Sequence, residues 1–331
     1  MLEQYTTFNE DEDVINKLDA TVTTGIFSNG VGTISTFYTS SAQNLLSSSH
    51  YYKHVYDLAA TSSVMFDISY GSSSAFGSYA DSYEEVYTPA MAIYKQYANI
   101  CLPTTVTAFT FADKTTGSGQ IFAINFAREQ FKDGIDAGNW SLTLSGSTTK
   151  RIELCDNSNE TSPSQPSVGI NAGQAYYVVS GSGTTMLGTA AASPMGIVYP
   201  KLGLIILDAQ SCSLETDISL DEDSAKTNID LFAEMIVTGS NFVARNEEKV
   251  SSTHYFCRIK NQNYNFSNNP TWVTGSAGLM KYSEMYNDPQ VYPTMLGLYD
   301  DNNQLLATAK LNKPQLKNIE RELLVKVRIS F

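Results

Sequence analysis

Two histidines in the first fifth of the chain have the spacing of metal ligands. His50 and His54 are four residues apart, and Asp57 follows three residues later. On a helix this spacing places the side chains on one face, where they could bind zinc. Zinc sites normally need three or four such ligands, and the third histidine of the chain is the distant His254. The surrounding sequence also fits an aromatic-rich strand or loop, so we expect no metal site here.

Asp156, Ser158 and Glu160 are spaced like the start of a calcium-binding loop. Such a loop requires a glycine at its sixth position and a glutamate at its end. Thr161 stands where the glycine is needed, and the distal glutamate is missing. The pattern therefore favours a solvated turn over a calcium site.

Other signatures of catalysis are incomplete. Gly183 and Gly188 have the gap of a phosphate-binding loop, but Thr189 replaces the lysine that reaches the phosphates. His254 and Cys257 are three residues apart and would face opposite sides of a strand. A carboxylate pair of the kind used by glycan hydrolases cannot be located in a sequence, because its members meet only in the fold. We predict no catalytic, cofactor-binding or metal-binding residue.

Short strands and a few helices are the elements that would position these residues. Thr88 as a cap, Pro89 in the first turn and an apolar stripe predict a helix near 88–102. A second helix, within 219–238, has a stripe of Ile229, Phe232, Ala233 and Ile236 and is stopped by Gly239. Short runs of alternating apolar residues elsewhere predict strands. We expect an α+β, β-rich fold with antiparallel or mixed sheets and two or three short helices.

The same patterns suggest three segments. Residues 1–50 are polar and predict an N-terminal arm or irregular subregion. Residues 51–215 form a β-rich body that includes the helix near 88–102. Residues 216–331 contain the second helix and a C-terminal β-rich block.

The last strand of the chain alternates almost without fault. One face would carry its apolar residues, and the return strand before it follows a polar link at 300–303 in a hairpin. On that return strand Leu305, Ala307, Ala309 and Leu311 are predicted to share a face. The candidates for a core or an interface in this block are Leu323, Val325, Val327, Ile329, Phe331, Trp272 and Tyr264.

Composition excludes several classes of function. The net charge is -13, which argues against a nucleic-acid surface because phosphate binding needs clustered lysine and arginine. No apolar run approaches the roughly 18 residues of a membrane-spanning helix. Charged residues are only 17%, while tyrosine is frequent at 20 residues, which suits sheets and protein contacts. The four cysteines are far apart, so we expect free, mostly buried thiols.

Several blocks of the sequence resemble one known family. They are STHYFCRIKNQNYNFSNNPTW, NDPQVYPTMLGLYDDNNQLLATAKLNKP, VKVRISF, YYKHVYDLAATSSVMFDISYG and GIVYPKLGLIILDAQ. They are similar to a structural protein of T4-like marine tailed phages, the cyanophage group, and touch most of the chain at intervals. The resemblance implies a virion protein of the tail or baseplate, made in the host cytoplasm, and it assigns no functional residue.

Three hypotheses follow. The first is a non-enzymatic structural subunit of a contractile phage tail, in or near the baseplate, which contacts other virion proteins and copies of itself. The second is a receptor-binding or fibre-attachment protein that contacts host glycans through aromatic residues such as Tyr51, Tyr52, Tyr264, Trp272, Tyr282 and Tyr286. The third is a glycan-cleaving enzyme of the tail. The absence of a catalytic signature favours the first.

Overall fold

The computed structural model divides the chain into two compact units. Unit 1 comprises Met1–Ala20 and Lys249–Phe331, and unit 2 comprises Thr21–Glu248. These boundaries differ from the divisions predicted near residues 50 and 215, because strands that are distant in sequence pair with each other. The structure describes residues 6–27, 30–40, 52–56, 63–74, 88–111, 118–146, 150–182, 185–186, 194–220, 227–267, 269–275 and 279–330.

The secondary structure is dominated by strands. The helices are α1 (Glu10–Asp13), α2 (Pro89–Cys101), α3 (Ala209–Thr216), α4 (Asn228–Gly239) and α5 (Glu284–Asn287), with short 3-10 helices at Arg128–Gln130 and Pro200–Leu202. The first ten strands are β1 (Val14–Gly25), β2 (Thr33–Ile34), β3 (Tyr38–Thr39), β4 (Tyr52–Tyr56), β5 (Val64–Ser72), β6 (Gln120–Asn125), β7 (Gly134–Ile135), β8 (Ser141–Ser145), β9 (Arg151–Asp156) and β10 (Tyr176–Ser182). The others are β11 (Thr185–Met186), β12 (Gly196–Tyr199), β13 (Leu204–Asp208), β14 (Phe242–Val243), β15 (Arg245–Ile259), β16 (Val273–Thr274), β17 (Leu279–Met280), β18 (Met295–Tyr299), β19 (Leu305–Lys310) and β20 (Leu323–Ser330).

The fold class is the one predicted from the sequence. Strands make up 42% and helices 18% of the protein, and the antiparallel sheets include a curled half-barrel. Five α-helices lie in the described ranges, and two of these, α1 and α5, have only four residues. The β-rich α+β prediction is therefore confirmed.

Unit 2 is built on one large antiparallel sheet. Its strands have the order β2-β14-β8-β9-β10-β12-β13-β6-β5-β4-β3, and β11 also pairs with β10. Helices cover it on both sides. Phe122 of β6 stacks on Phe232 of α4 with ring centroids 4.2 Å apart, while the neighbouring Ile121 packs in the cluster that contains Tyr94 of α2. Successive residues of a strand face opposite sides, so β6 contributes to two cores.

Both predicted helices are present, and hydrogen bonds at their first turns explain where they begin. The side chain of Thr88 caps α2 by accepting from the backbone N of Met91. Helix α4 begins with a capping box between Thr227 and Asp230. Gly239 is the last residue of α4, but the left-handed residue that ends the helix is Ser240, with φ of 53°. Gly239 is required by packing, because a Cβ there would lie 1.9 Å from the carbonyl oxygen of Thr143.

The remaining sheets are shorter, and residues of unit 1 contribute to each of them. A four-stranded sheet has the order β1-β15-β20, with β7 on β15 as well, and both β1 and β15 run through a unit boundary. Two hairpins, β16–β17 and β18–β19, form separate two-stranded sheets. The predicted polar link at 300–303 forms the second hairpin turn, where Oδ1 of Asp300 accepts from the backbone N of Asn302 and Gln304 at 3.0 and 2.7 Å.

Candidate interaction surface

His54 lies on strand β4 rather than on a helix. Its Nδ1 is 2.5 Å from Oδ1 of Asp67 on β5, and its ring centroid is 5.5 Å from that of Tyr52 and 6.4 Å from that of Tyr56. His50 and Asp57 lie outside the described residues. Within the described ranges, no three His, Cys, Asp or Glu side chains are grouped so that they could hold a metal ion.

The three rings form an aromatic row on one face of β4. Lys53 and Val55, which alternate with them, are buried. The side chains of His54 and Asp67 remain 38% and 43% exposed. Flat rings beside a carboxylate that accepts hydrogen bonds could contact a sugar, because tyrosine combines an apolar face with a polar tip.

A serine, a histidine and an aspartate meet on the sheet of β1, β15 and β20. Ser252 Oγ is 2.9 Å from Nε2 of His254. Ser252 also hydrogen-bonds the carboxylate of Asp19, and this bond lowers the pKa of Asp19. Nη2 of Arg328 donates to Oδ2 of the same carboxylate at 2.7 Å.

This order of groups does not fit nucleophilic catalysis. In a catalytic triad the histidine stands between the acid and a serine that faces the substrate. Here Ser252 is the central group, and it is only 1% exposed. A hydroxyl has one proton, so when Ser252 donates to Asp19, Nε2 of His254 must donate to Ser252. The cluster therefore connects three strands.

Charges around His254 favour its neutral form. Burial lowers the pKa of His254, and the cations of Lys326, Arg328 and Lys17 lower it further, while Asp19 opposes them. Two strands, β1 and β20, thus direct three cations toward one histidine on β15. Protonation of His254 must bring a further positive charge into this group.

The turn that begins at Asp156 is buried at its first two residues and reaches the surface from Ser158 onward, so the expectation of a solvated turn is wrong only for its start. Asp156 and Asn157 are both fully buried. Oδ2 of Asp156 accepts from the backbone N of Gly138 at 2.8 Å, and Oδ1 accepts from the backbone N of Ser158 at 2.9 Å. The carboxylate therefore fixes two turns to each other. Sequence reasoning missed this role because the partner Gly138 is 18 residues away.

Strand β20 carries four of the predicted interface or core residues. Val327 is buried, while Leu323, Val325 and Ile329 on the same face are half-buried. Phe331 lies outside the described residues. The strand pairs only with β15 among the described strands, in a ladder that runs from Ser252 opposite Ser330 to Ile259 opposite Leu323.

Trp272 and Tyr264 have different environments. Trp272 is 8% exposed, and its ring meets that of Phe266 edge-on at 4.9 Å. Tyr264 is 46% exposed, has a left-handed backbone with φ of 54° and hydrogen-bonds Thr6 at 3.3 Å through its hydroxyl. Trp272 is thus a core residue, and Tyr264 lies on the surface.

Apolar side chains in unit 1 are mostly on its surface. Of the 22 exposed large apolar residues described, 15 belong to unit 1, although it has 103 of the 331 residues. Of the 55 buried apolar residues described, only four belong to it: Ile259, Trp272, Leu298 and Val327. Exposed apolar residues mark interaction sites in soluble proteins where they are contiguous, as on the paired strands β18 and β19.

A lysine takes part in the small interior of unit 1. Lys317 is fully buried, and burial lowers its pKa. Its Nζ donates to the backbone oxygen of Asn261 at 3.0 Å and to Oδ1 of Asn265 at 2.5 Å. A cation and two carbonyl groups therefore occupy space that an apolar cluster would fill in a typical domain.

Four of the exposed apolar residues of unit 1 lie on the hairpin β18–β19. Met295, Tyr299 and Leu305 on its outer face are 61%, 44% and 53% exposed, and Leu306 beside them is 69% exposed. The sequence prediction placed Leu305 with Ala307 on the other face. A register shift next to Leu298 and Tyr299 moves it to the outer face. We call this outer face, with Met295, Tyr299 and Leu305, the hairpin surface.

Comparisons with known proteins do not narrow the function. Protein-family models, curated proteins and solved structures gave no match to the chain. Among the residues that the structure describes, no helix is long and apolar enough to cross a membrane.

Proposed function

We propose that this chain is a non-enzymatic structural subunit of a contractile phage tail, in or next to the baseplate, which acts through protein-protein interfaces. The observation that carries the proposal is the distribution of apolar residues in unit 1. A unit whose described residues include 15 exposed large apolar ones and four buried apolar ones resembles a domain core cut in half. Such a surface is stable in water when a partner covers it.

The tail assignment comes from the resemblance of the sequence blocks to virion proteins of T4-like marine phages. Three of these blocks fall in unit 1, where the exposed apolar residues lie. Assembly partners would be other tail proteins and further copies of the chain. The chain would then be found in the virion after synthesis in the host cytoplasm.

The test replaces apolar residues of the hairpin surface by serine and leaves the buried residues unchanged. A double variant, Met295→Ser with Leu305→Ser, should fold normally but be incorporated into tails at a small fraction of the wild-type level. Leu214→Ser is the matched control, because Leu214 is 79% exposed but lies in unit 2. Incorporation is measured by complementation of a phage that lacks the gene and by quantitative mass spectrometry of purified particles.

Two results would overturn this function. One is the absence of the wild-type chain from purified particles. The other is equal incorporation of the double variant and the Leu214→Ser control. Immunogold electron microscopy of intact particles then shows whether the chain lies at the baseplate end of the tail.

A second candidate function is favoured by the aromatic row of β4. In a receptor-binding protein, Tyr52, His54 and Tyr56 would contact host glycans beside Asp67. Binding of the purified chain to host polysaccharide that is abolished by Tyr52→Ala, with no release of reducing ends, would support this function. Release of reducing ends that depends on one Asp or Glu would instead show a glycan hydrolase.

A further inference from the structure

Strand β1 has the composition of a strand that pairs on both sides. Its twelve residues, VINKLDATVTTG, are rich in β-branched residues, contain no proline and have a glycine only at the end. Within the part of the chain that the structure describes, β1 pairs with β15 and with no second strand. Ile15, Leu18 and Val22 are 51%, 53% and 42% exposed.

The two edge strands of this sheet differ in how well they are protected against pairing with another chain. Soluble proteins normally protect exposed edge strands with like charges, prolines or bulges. The opposite edge, β20, carries the exposed cations Lys326 and Arg328 on one face. Two β20 strands would therefore repel each other. Strand β1 has one lysine and one aspartate, which do not protect it in this way.

The charges of β1 are complementary to themselves in one register. Lys17 and Asp19 flank Leu18 on either side. If two β1 strands run antiparallel with Leu18 opposite Leu18, each Lys17 lies opposite an Asp19, and Val14 lies opposite Val22. Opposite charges across an antiparallel pair are stabilising, whereas like charges directly opposite are destabilising.

Neighbouring registers of the two β1 strands lose this pairing of opposite charges. A pair centred on Lys17 or on Asp19 places two like charges opposite each other. A shift of one residue also turns every side chain to the other face of the sheet. The carboxylate of Asp19 already binds Arg328 within its own chain, and its side chain remains 16% exposed. A carboxylate has about four acceptor sites, and Arg328 and Ser252 use two of them, so Asp19 can receive a further cation.

We propose that β1 pairs with β1 of a second copy of this chain, antiparallel and centred on Leu18, so that the sheets of two copies become one. This inference rests on the proposed function as an assembling subunit, and it names one partner and the strand that binds it. The pair is two-fold symmetric, as most homodimers are. Backbone hydrogen bonds along the added strand supply affinity, and the side-chain pairs set the register.

Cysteine cross-linking of the full chain tests the register. The parent is Cys257→Ser, because Cys257 is half-buried and the other three cysteines are buried. Leu18→Cys should form a disulfide-linked dimer under mild oxidation. Ile15→Cys alone and Thr21→Cys alone should not, because equivalent residues would lie about 20 Å apart, beyond the ~7 Å limit of a disulfide. An equal mixture of these two variants should cross-link.

Two results of the cross-linking experiment would contradict the proposed pairing of β1 strands. Leu18→Cys dimers no more abundant than those of the parent would overturn the pairing. Ile15→Cys that links to itself more readily than to Thr21→Cys would overturn the register. Circular dichroism of each variant shows that it is folded before oxidation.

Sedimentation equilibrium gives an independent test without cysteines. Lys17→Asp should raise the dissociation constant of the dimer about tenfold or more, because two attractive pairs become repulsive. Lys260→Asp, which changes an exposed cation of unit 1 outside β1, should leave the dissociation constant unchanged. A wild-type chain that is monomeric at its highest soluble concentration would overturn the proposal. Loss of particle incorporation by the hairpin-surface variant would still support the structural function in that case.

Discussion

Leu305 lies opposite Tyr299 across the hairpin β18–β19, while Ala307 lies opposite Leu298. Leu306 is therefore an extra residue, and this β-bulge puts Leu305 on the outer face. A Cβ on Gly297 would lie 2.8 Å from Cε2 of Tyr299 and 3.1 Å from Cδ1 of Leu305, so these two side chains cover the glycine. The bulge thus creates the hairpin surface.

Deleting Leu306 should be tolerated. The deletion leaves Leu298 opposite Ala307 and Tyr299 opposite Leu305 in a regular ladder, and Leu306 itself is 69% exposed. We expect a change in unfolding free energy below about 1 kcal/mol, as for other surface changes. Deleting Thr308 instead should destabilise unit 1, because it moves Ala309 to the outer face and Lys310 to the inner one. Urea unfolding of both deletions is the measurement, and equal losses would contradict the bulge.

Trp272 and Tyr264 should differ sharply as alanine variants. Trp272 is one of the four buried apolar residues described in unit 1, so Trp272→Ala should cost about 3–5 kcal/mol and unfold that unit. Tyr264→Ala should cost less than about 1 kcal/mol, because the side chain is exposed. Limited proteolysis should cut unit 1 rapidly in the first variant only. Resistance of Trp272→Ala to protease would show that the small core is not what holds the unit together.

The ion pair of Lys53 and Asp230 should make unit 2 sensitive to acid. Burial disfavours the charge of Asp230, but hydrogen bonds from Lys53 and Thr227 outweigh it and lower the pKa of Asp230 below 3.8. A lowered folded-state pKa stabilises the protein above the unfolded pKa, and this contribution is lost as pH falls through the folded pKa. Asp230→Ala should cost about 3 kcal/mol at neutral pH, because it leaves the buried Lys53 unpaired.

The matched variant removes the buried charge itself. Lys53→Met should cost less than Asp230→Ala and should reduce the loss of stability on acidification below about pH 4. Lys95→Met, an exposed lysine of α2, is the control. Urea unfolding at neutral and acid pH measures all three variants. An unchanged acid response in Lys53→Met would show that Asp230 titrates without help from the lysine.

Protonation of His254 should destabilise the sheet of unit 1. Burial and the neighbouring cations lower its pKa below 6.5. The stabilising contribution of neutral His254 is therefore present above pH 6.5 and is lost as pH falls below the folded-state pKa. Melting of the wild type should shift downward between about pH 7 and about pH 5, and His254→Gln should shift less. A pH response that the glutamine variant retains in full would assign it to other groups.

Truncations should distinguish the stability of unit 1 from that of unit 2. Deleting residues 327–331 removes Val327 and the pairs of β20 with Ser252, Thr253, His254 and Tyr255. Unit 1 should unfold, while unit 2 keeps its own core and its melting transition. Removing residues 1–20 deletes part of β1 from the same sheet, so it should also weaken unit 1 and abolish β1-mediated dimers. Calorimetry measures whether a variant has one melting transition or two. Loss of both transitions in either truncation would contradict the expectation that each unit has a core of its own.

Local features of this protein were predictable from the sequence. The cap of α2 at Thr88, the apolar stripe of α4 and the turn after Asp300 depend on hydrogen bonds or periodicities within a few residues. The alternation of β20 was likewise readable, and its apolar face is the one that is partly buried. The prediction for Leu305 failed because the bulge depends on the partner strand.

Only the tertiary structure decided which of these elements meet. Asp19 and Arg328 are 309 residues apart, and Thr24 hydrogen-bonds Asn246 across 222 residues. Pairing at such separations is set by the free energy of the whole fold, because each long-range contact must offset the entropy of closing a long loop. For the same reason the sequence showed Lys17 and Asp19 beside Leu18, while the structure showed that, among the described strands, theirs pairs only with β15.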